Sequence, residues 1–395
     1  MVLALSSKAR EEIPILKKYI YLNNASAGPL PSRVVTSVVK FAEEWASEGE
    51  PWEEGIRAIY DCKRLFSQLT GARPEEVSAF PGVSYGIALV LSSLRLKPGS
   101  NVVVSSMNFP TSLAIARSMA RRGLVKEVRV VGDRGGFTDL RDYEKLIDDN
   151  TAVVLVDYVG WLSGYVEDLG EVSRIAHEHG AILVSDAFHA VGVLPVDVKA
   201  LGVDVLVTGS YKWLMSLHGA ALAYVREEVL ESLNPPYAGW MALEDSVPRR
   251  ILRGEPEFLR PIDPLRTELA RDGGKLEWGT LPLVAFVALR RALEFILEYR
   301  APDLFENHTR KLAERIIEGL ESLGYELYTA RGRHAAIVSF KHRSPIQLAE
   351  HLGRAGVVVS GRPGLVRVSP HFYNTHEDVD NFLETLRRVD RELRG

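Results

Sequence analysis

The sequence predicts an α/β protein, with a large unit built on a mostly parallel sheet between helices and a smaller α+β unit at the C-terminal end. Three observations carry this expectation. Short apolar runs alternate with helical patterns from about residue 75 to 225, the arrangement of a parallel sheet covered on both faces. The rhythm breaks over residues 233–280, and strands and helices resume in a different order toward the C-terminal end. A chain of 395 residues that is 46% hydrophobic and 25% charged has enough apolar material for a sizeable core and for two domains.

The elements follow in order. Residues 33–45 place Val34, Val35, Val38, Phe41, Ala42 and Trp45 along one helical face, and residues 52–69 do the same with Ile59, Cys62, Phe66 and Leu69. Buried strands are expected at NVVVSS, EVRVVG, AVVLVDY, AILVSDA, DVLVTGS and AALAYV. The stretch 233–280 mixes Pro, Gly and charge with little periodicity; inside a compact domain such an excursion usually serves function or a subunit contact. A helix follows Pro282 to about Tyr299. Then come a helical pattern over 304–323, strands near AAIVSF, VVVSG and LVRVSP, and a last helix from Glu377 to about Leu393. The expected division is an N-terminal segment 1–25 packing near the small domain, a large domain 26–285 and a smaller α+β domain 286–395.

The net charge of −4, with no basic stripe, argues against nucleic acid as a partner. No run approaches the ~18 apolar residues of a membrane span, and the N-terminal stretch is too charged for a signal peptide. The single cysteine forms no intrachain disulfide. A soluble, cytoplasmic protein is expected. Cys62, at helical spacing, reads as a core residue rather than a reactive thiol. No metal-ligating set is expected.

The chemistry starts at Lys212, just past the β-branched run Val203–Val207 and between Tyr211 and Trp213. Open α/β sheets hold ligands at such strand ends. A surface lysine and a desolvated, nucleophilic one are both compatible with this position. The run AILVSDAFHA repeats the design, ending in Asp186 with His189 three residues on. Asp186 reads either as a helix cap or as the acid that faces the ring nitrogen of pyridoxal 5'-phosphate (PLP), which also needs a lysine. Pro81-Gly82-Val83-Ser84 precedes the helical run IALVLSSL; backbone amides at a helix start and the Ser84 hydroxyl suit a phosphate. Tyr211 offers a further phosphate hydroxyl. Phe109, after the strand NVVVSS, is either a core residue or a stacking face for a flat ring. No dinucleotide or triphosphate signature is present.

YLNNASAGPLP, PGVSYGI, MNFPTS, SDAFH, GSYKW, LEWGT and VRVSPHFYNTHEDVD occur in an order that resembles class V aminotransferases. These are fold type I PLP enzymes that include cysteine desulfurases, kynureninases and isopenicillin N epimerases, and the likeness runs from about residue 20 to 390. The resemblance implies a PLP-dependent transferase fold with a mostly parallel seven-stranded sheet. It implies Lys212 as the Schiff-base lysine, Asp186 as the acid at the ring nitrogen, and His189 near the 3-oxygen. Gly82, Val83, Ser84, Ser210 and Tyr211 would serve the cofactor, and Phe109 would stack on it. Thr280 and Trp240 would reach the phosphate of a neighbouring subunit in a homodimer. Arg367 would clamp the substrate carboxylate, with Asn24 also assigned to substrate binding. Ser26, Trp161, Trp213, His218 and Arg362 are further wall candidates. The implied activity is that of an aminotransferase acting on an amino acid and a 2-oxo acid, with a lyase or epimerase as the alternative. A desulfurase with an enzyme persulfide is disfavoured, because VVVSGRPGLVR contains no cysteine. Gly160 stands where relatives often carry Asn or Gln against the cofactor oxygen.

Overall fold

The computed structural model describes residues 2–263, 265 and 268–394; Met1 and Gly395, at the outer ends of the expected segments, lie outside the described residues, as do 264, 266 and 267. Twelve strands occur among the described residues. They are β1 (Ile20–Tyr21), β2 (Val77–Phe80), β3 (Asn101–Ser105), β4 (Glu127–Val131), β5 (Thr151–Asp157), β6 (Ile182–Asp186), β7 (Val205–Gly209), β8 (Ala221–Val225), β9 (Val338–Lys341), β10 (Val357–Val358), β11 (Ser360–Arg362) and β12 (Leu365–Val368). Seven of them form one sheet in the order β2-β8-β7-β6-β5-β3-β4. Only β8 runs against its neighbours.

Apart from the edge strand β4, of which only Val131 is buried, the sheet is buried on both faces, and the period-two alternation of its strands is visible in the core. Val103, Val154, Val156, Leu183 and Leu206 pack into one apolar cluster. Their neighbours Val102, Val104, Val153, Leu155, Val184 and Val205 pack into another. This explains why the strands read as unbroken apolar runs. The six expected runs are β3 to β8. The seventh strand, β2, escaped notice because VSAF is short and half small polar or alanine residues, although every one of its positions is buried.

The expected helices lie at Ser32–Glu48, Trp52–Thr70, Leu283–Glu298 and His376–Arg394. Among its described residues, the stretch 233–280 holds short turns of helix, such as Val247–Leu252, and an isolated antiparallel bridge between Leu243 and Leu269. In the C-terminal part, β11, β12 and β9 form an antiparallel three-stranded sheet. Its core joins Val338, Phe340, Val366 and Val368 to Leu312, Leu348 and Phe382 from the surrounding helices, and to Leu22. Beside Leu22, β1 pairs with β10 in parallel, Ile20 opposite Val357. No helix among the described residues is long and apolar enough to cross a membrane.

Candidate active site

Six of the seven large-sheet strands run the same way, so their C-terminal ends gather on one edge. The chain order reverses there: β4 lies outside β3 on one side, and β5 lies on the other. This is the kind of crevice in which open α/β sheets bind ligands. A cavity of about 190 Å³ opens at this edge. Phe80 of β2 leads to Gly82, Val83, Ser84 and Tyr85; Ser105 of β3 leads to Phe109 and Thr111; β5 ends in Asp157, and β6 in Asp186 followed by Phe188 and His189. Tyr211 and Lys212 follow β7. All these post-strand residues line the cavity.

Lys212 is 8% exposed. Burial is the main reason its amine titrates low, at about 8; Asp186 and Asp157 oppose this, while Arg367 and Arg362 add to it. Its Nζ lies 4.1 Å from the centre of the Phe188 ring and 2.9 Å from His189 Nε2. On the other side of the imidazole, Trp213 Nε1 donates to His189 Nδ1 at 3.3 Å. An indole N–H can only donate, so Nδ1 is the acceptor and the ring proton sits on Nε2, facing the lysine nitrogen. Burial, then Lys212 and both arginines, hold the His189 pKa well below its usual value. A neutral imidazole therefore presents its N–H to the lysine nitrogen, which accepts it in the free-amine form that a pKa of about 8 brings within reach. Trp213 is itself held from behind by His371, whose Nε2 donates to the Trp213 carbonyl at 3.0 Å.

The two acids are register partners: Asp157 of β5 stands opposite Asp186 of β6. Asp186 accepts from Phe188 N at 2.9 Å, and Asp157 Oδ2 accepts from Phe109 N at 2.6 Å. The other Asp157 oxygen, Oδ1, is buried without a partner. Burial raises both carboxyls, and Asp186 raises Asp157 further. Phe109 is 42% exposed, with Trp161 packed edge-on against it at 5.5 Å.

The helix Val83–Ser93 begins at the cavity with no side-chain cap, so its first-turn N–H groups point into open space. Ser84 Oγ and Thr111 Oγ1 lie beside them, 3.2 Å apart. Gly82 is extended, with φ of 174°, and a Cβ there would meet only the Tyr85 ring at 3.5 Å. Gly28 is a different case. Its N–H donates to Tyr211 O at 2.8 Å, and a Cβ on it would lie 2.1 Å from the Lys212 carbonyl. The N-terminal loop thus seats directly on the lysine backbone.

Other expected residues lie elsewhere. Asn24 is fully buried, donating to Ser369 O and accepting from Tyr373 OH. Ser210 gives its hydroxyl to the Leu217 carbonyl. His218 stacks on Tyr211 with ring centres 3.8 Å apart. Trp240 stacks on Trp52, and Thr280 is exposed; neither lines this cavity. Glu277 of LEWGT is anchored instead, paired with Lys63 and accepting from Ala79 N of β2. A side chain at Gly160 would meet Ser163 Oγ at 2.9 Å; its neighbour Trp161 reaches the site through its packing against Phe109. Arg367, 1% exposed, donates to Trp161 O at 2.6 Å and to Ser26 Oγ at 2.9 Å.

The class V aminotransferase family description matches residues 20–382. The chain belongs to this family. An uncharacterized aminotransferase of Bacillus subtilis (strain 168) is 26% identical over 383 residues, covering 97% of both chains. A cysteine desulfurase of Escherichia coli O8 (strain IAI1) is 25% identical, covering 98% of both. The apo cysteine desulfurase of Thermococcus onnurineus NA1 shares the fold, with a TM-score of 0.84 at 24% identity over 98% of each chain. The expected PLP fold type I is therefore the observed one, and the chain is a PLP-dependent enzyme of class V. The cavity suits that cofactor. It offers an uncapped helix start with two hydroxyls for an anion, a buried acid, an aromatic face and a desolvated lysine within one enclosure.

Proposed function

We propose that the chain transforms the amino group of an amino acid, with transamination as the leading outcome. The carrying observation is Lys212, a buried amine titrating near 8 beside an acid pair and an anion-ready helix start. Lys212 would hold PLP, Asp186 would face its ring nitrogen, and Phe109 would cover the ring. His189 would donate from Nε2 to the oxygen beside the Schiff-base carbon. Gly82, Val83, Ser84 and Tyr211 would take the phosphate. When bound, PLP supplies an electron sink for the bond broken at the substrate α-carbon.

The chain's own residues do the rest. Arg367 holds the α-carboxylate and so orients the α-carbon. Lys212 Nζ accepts the α-proton, and a base titrating near the working pH suits that task. Protonation of the α-carbon from the opposite face, by a second donor because Lys212 stands on one side, would give epimerisation; placing the proton on the cofactor, with water then releasing the carbon skeleton, would give a keto acid and leave the amino group on the cofactor.

The second reading is a lyase that expels a β-substituent after the same proton is taken, and the desulfurase name of several relatives favours it. A persulfide held on this enzyme is a poorer reading. Its one cysteine, Cys62, is fully buried, and its thiol donates to the Phe286 carbonyl. Burial pushes the thiol's pKa well up, so the reactive thiolate is suppressed.

We also read the active unit as a two-fold dimer. Thr280, the 43%-exposed Trp278 and the Tyr237 ring stacked on it form a surface that a second subunit would cover. The division into domains 26–285 and 286–395, with 1–25 against the smaller one, belongs to the same reading.

A panel of amino acids added to the holoprotein tests the function. Transamination predicts a change in visible absorbance, release of the matching keto acid, and recovery on adding a 2-oxo acid. Turnover without any need for a 2-oxo acid would favour the lyase. No absorbance change with any amino acid would overturn both.

A further inference from the structure

The small sheet places a second arginine beside the first. Ser360 stands opposite Arg367 across the β11–β12 pair, and Arg362 follows Ser360 by two residues, so all three share one face of the sheet. The other face is covered, since a Cβ on Gly361 would meet the Ile346 backbone at 2.7 Å. On the shared face, Arg362 Nη2 and Arg367 Nη2 both donate to one oxygen, Ser26 Oγ, each at 2.9 Å. Ser26 Oγ in turn lies 3.4 Å from Ser360 Oγ.

Neither guanidinium has a carboxylate partner among the described residues. The Nε of each is buried and unpartnered. Burial holds both pKa values down, and Arg362 lowers that of Arg367 further, to about 9. The pair is thus two like charges gathered on a neutral hydroxyl, close enough to Lys212 and His189 to shift both. One α-carboxylate neutralises one of them. The charge left over sits on the half-buried Arg362, whose Nε is buried without a partner, and leaving it unpaired is costly.

We propose that Arg362 and Arg367 each bind one acidic group of the same substrate, which makes the preferred substrate an α-amino acid with a carboxylate in its side chain. Arg367 takes the α-carboxylate, as in the function proposed above, on which this inference rests. Arg362 takes the side-chain acid, and Ser26 sets the spacing between the two forks.

The test uses the holoprotein and ligands that cannot react. Calorimetry measures succinate and glutarate against butyrate and valerate, the monocarboxylates of equal length. The diacids should bind about ten-fold or more tightly, the effect of one charge-assisted contact. Arg362→Met should remove that preference while leaving monocarboxylate binding within about two-fold, and Arg362→Lys should restore part of it. A wild-type protein with no diacid preference overturns the inference. So does Arg362→Met weakening both kinds of acid equally, which would mean that both arginines hold one carboxylate. These outcomes do not depend on turnover. Diacid preference without any amino-acid-induced absorbance change would sink the proposed activity and leave this site standing; the reverse pattern would do the opposite.

Discussion

The titration of Lys212 can be measured in place. Burial moves its amine from 10.5 to about 8, a difference of about 3 kcal/mol between charged and neutral forms. The sign follows from desolvation: the folded protein disfavours the ammonium, so the free amine appears at lower pH. At pH 7 about one Lys212 in ten would be a free amine, against roughly one in three thousand for a lysine titrating at 10.5, a gain of about 300-fold. Competitive reductive methylation of the apoprotein with formaldehyde, read peptide by peptide in a mass spectrometer, reports the free-amine fraction at each pH. Exposed lysines such as Lys97 and Lys126 serve as references in the same sample. Slow access to a buried site lowers the Lys212 rate equally at every pH and leaves the midpoint alone. A midpoint near pH 8 is expected. One at or above 10 would show that the acid pair outweighs burial, and the reasoning about the base would fail.

Three further predictions follow from the contacts. Trp213→Phe removes the donor that keeps the His189 proton on Nε2, so Nε2 can become an acceptor for the ammonium; the Lys212 midpoint should rise by roughly one pH unit, and no rise would reject the tautomer assignment. Gly28→Ala forces a Cβ onto the Lys212 carbonyl and should cost about 1–3 kcal/mol while weakening PLP retention; thermal melting and cofactor titration check both, and unchanged values would mean that the loop yields freely. Cys62→Ala should lose about 1 kcal/mol of packing yet keep full turnover per folded molecule, and loss of turnover in a folded variant would return the thiol to the chemistry.

Much of the fold was legible because the parallel strands are buried on both faces and announce themselves as apolar runs. The short VSAF strand lacked that signal. Lys212, Asp186, His189, Phe109 and the Gly82–Ser84 turn were readable for a common reason: each follows a strand that ends on the same sheet edge. Asp157 ends AVVLVD in the same manner and could have been flagged by that rule. Its importance comes from standing beside Asp186, and pairing register is not written in either run alone. Motif position makes Trp213 a wall candidate, whereas its indole is turned inward to His189. Asn24 and Ser210 are candidates by likeness of position alone. Asn24 is satisfied by Ser369 and Tyr373 from the far end of the chain, long-range packing that a linear motif does not carry, whereas Ser210 closes a local turn onto Leu217.

The proposed chemistry stands or falls on Lys212 as the group that holds the cofactor. Holoprotein reduced with borohydride, digested and mapped by mass spectrometry should carry one phosphopyridoxyl label per chain, on the peptide containing Lys212, and Lys212→Ala should carry none. A label on any other lysine, or no label in folded protein supplied with PLP, would contradict it.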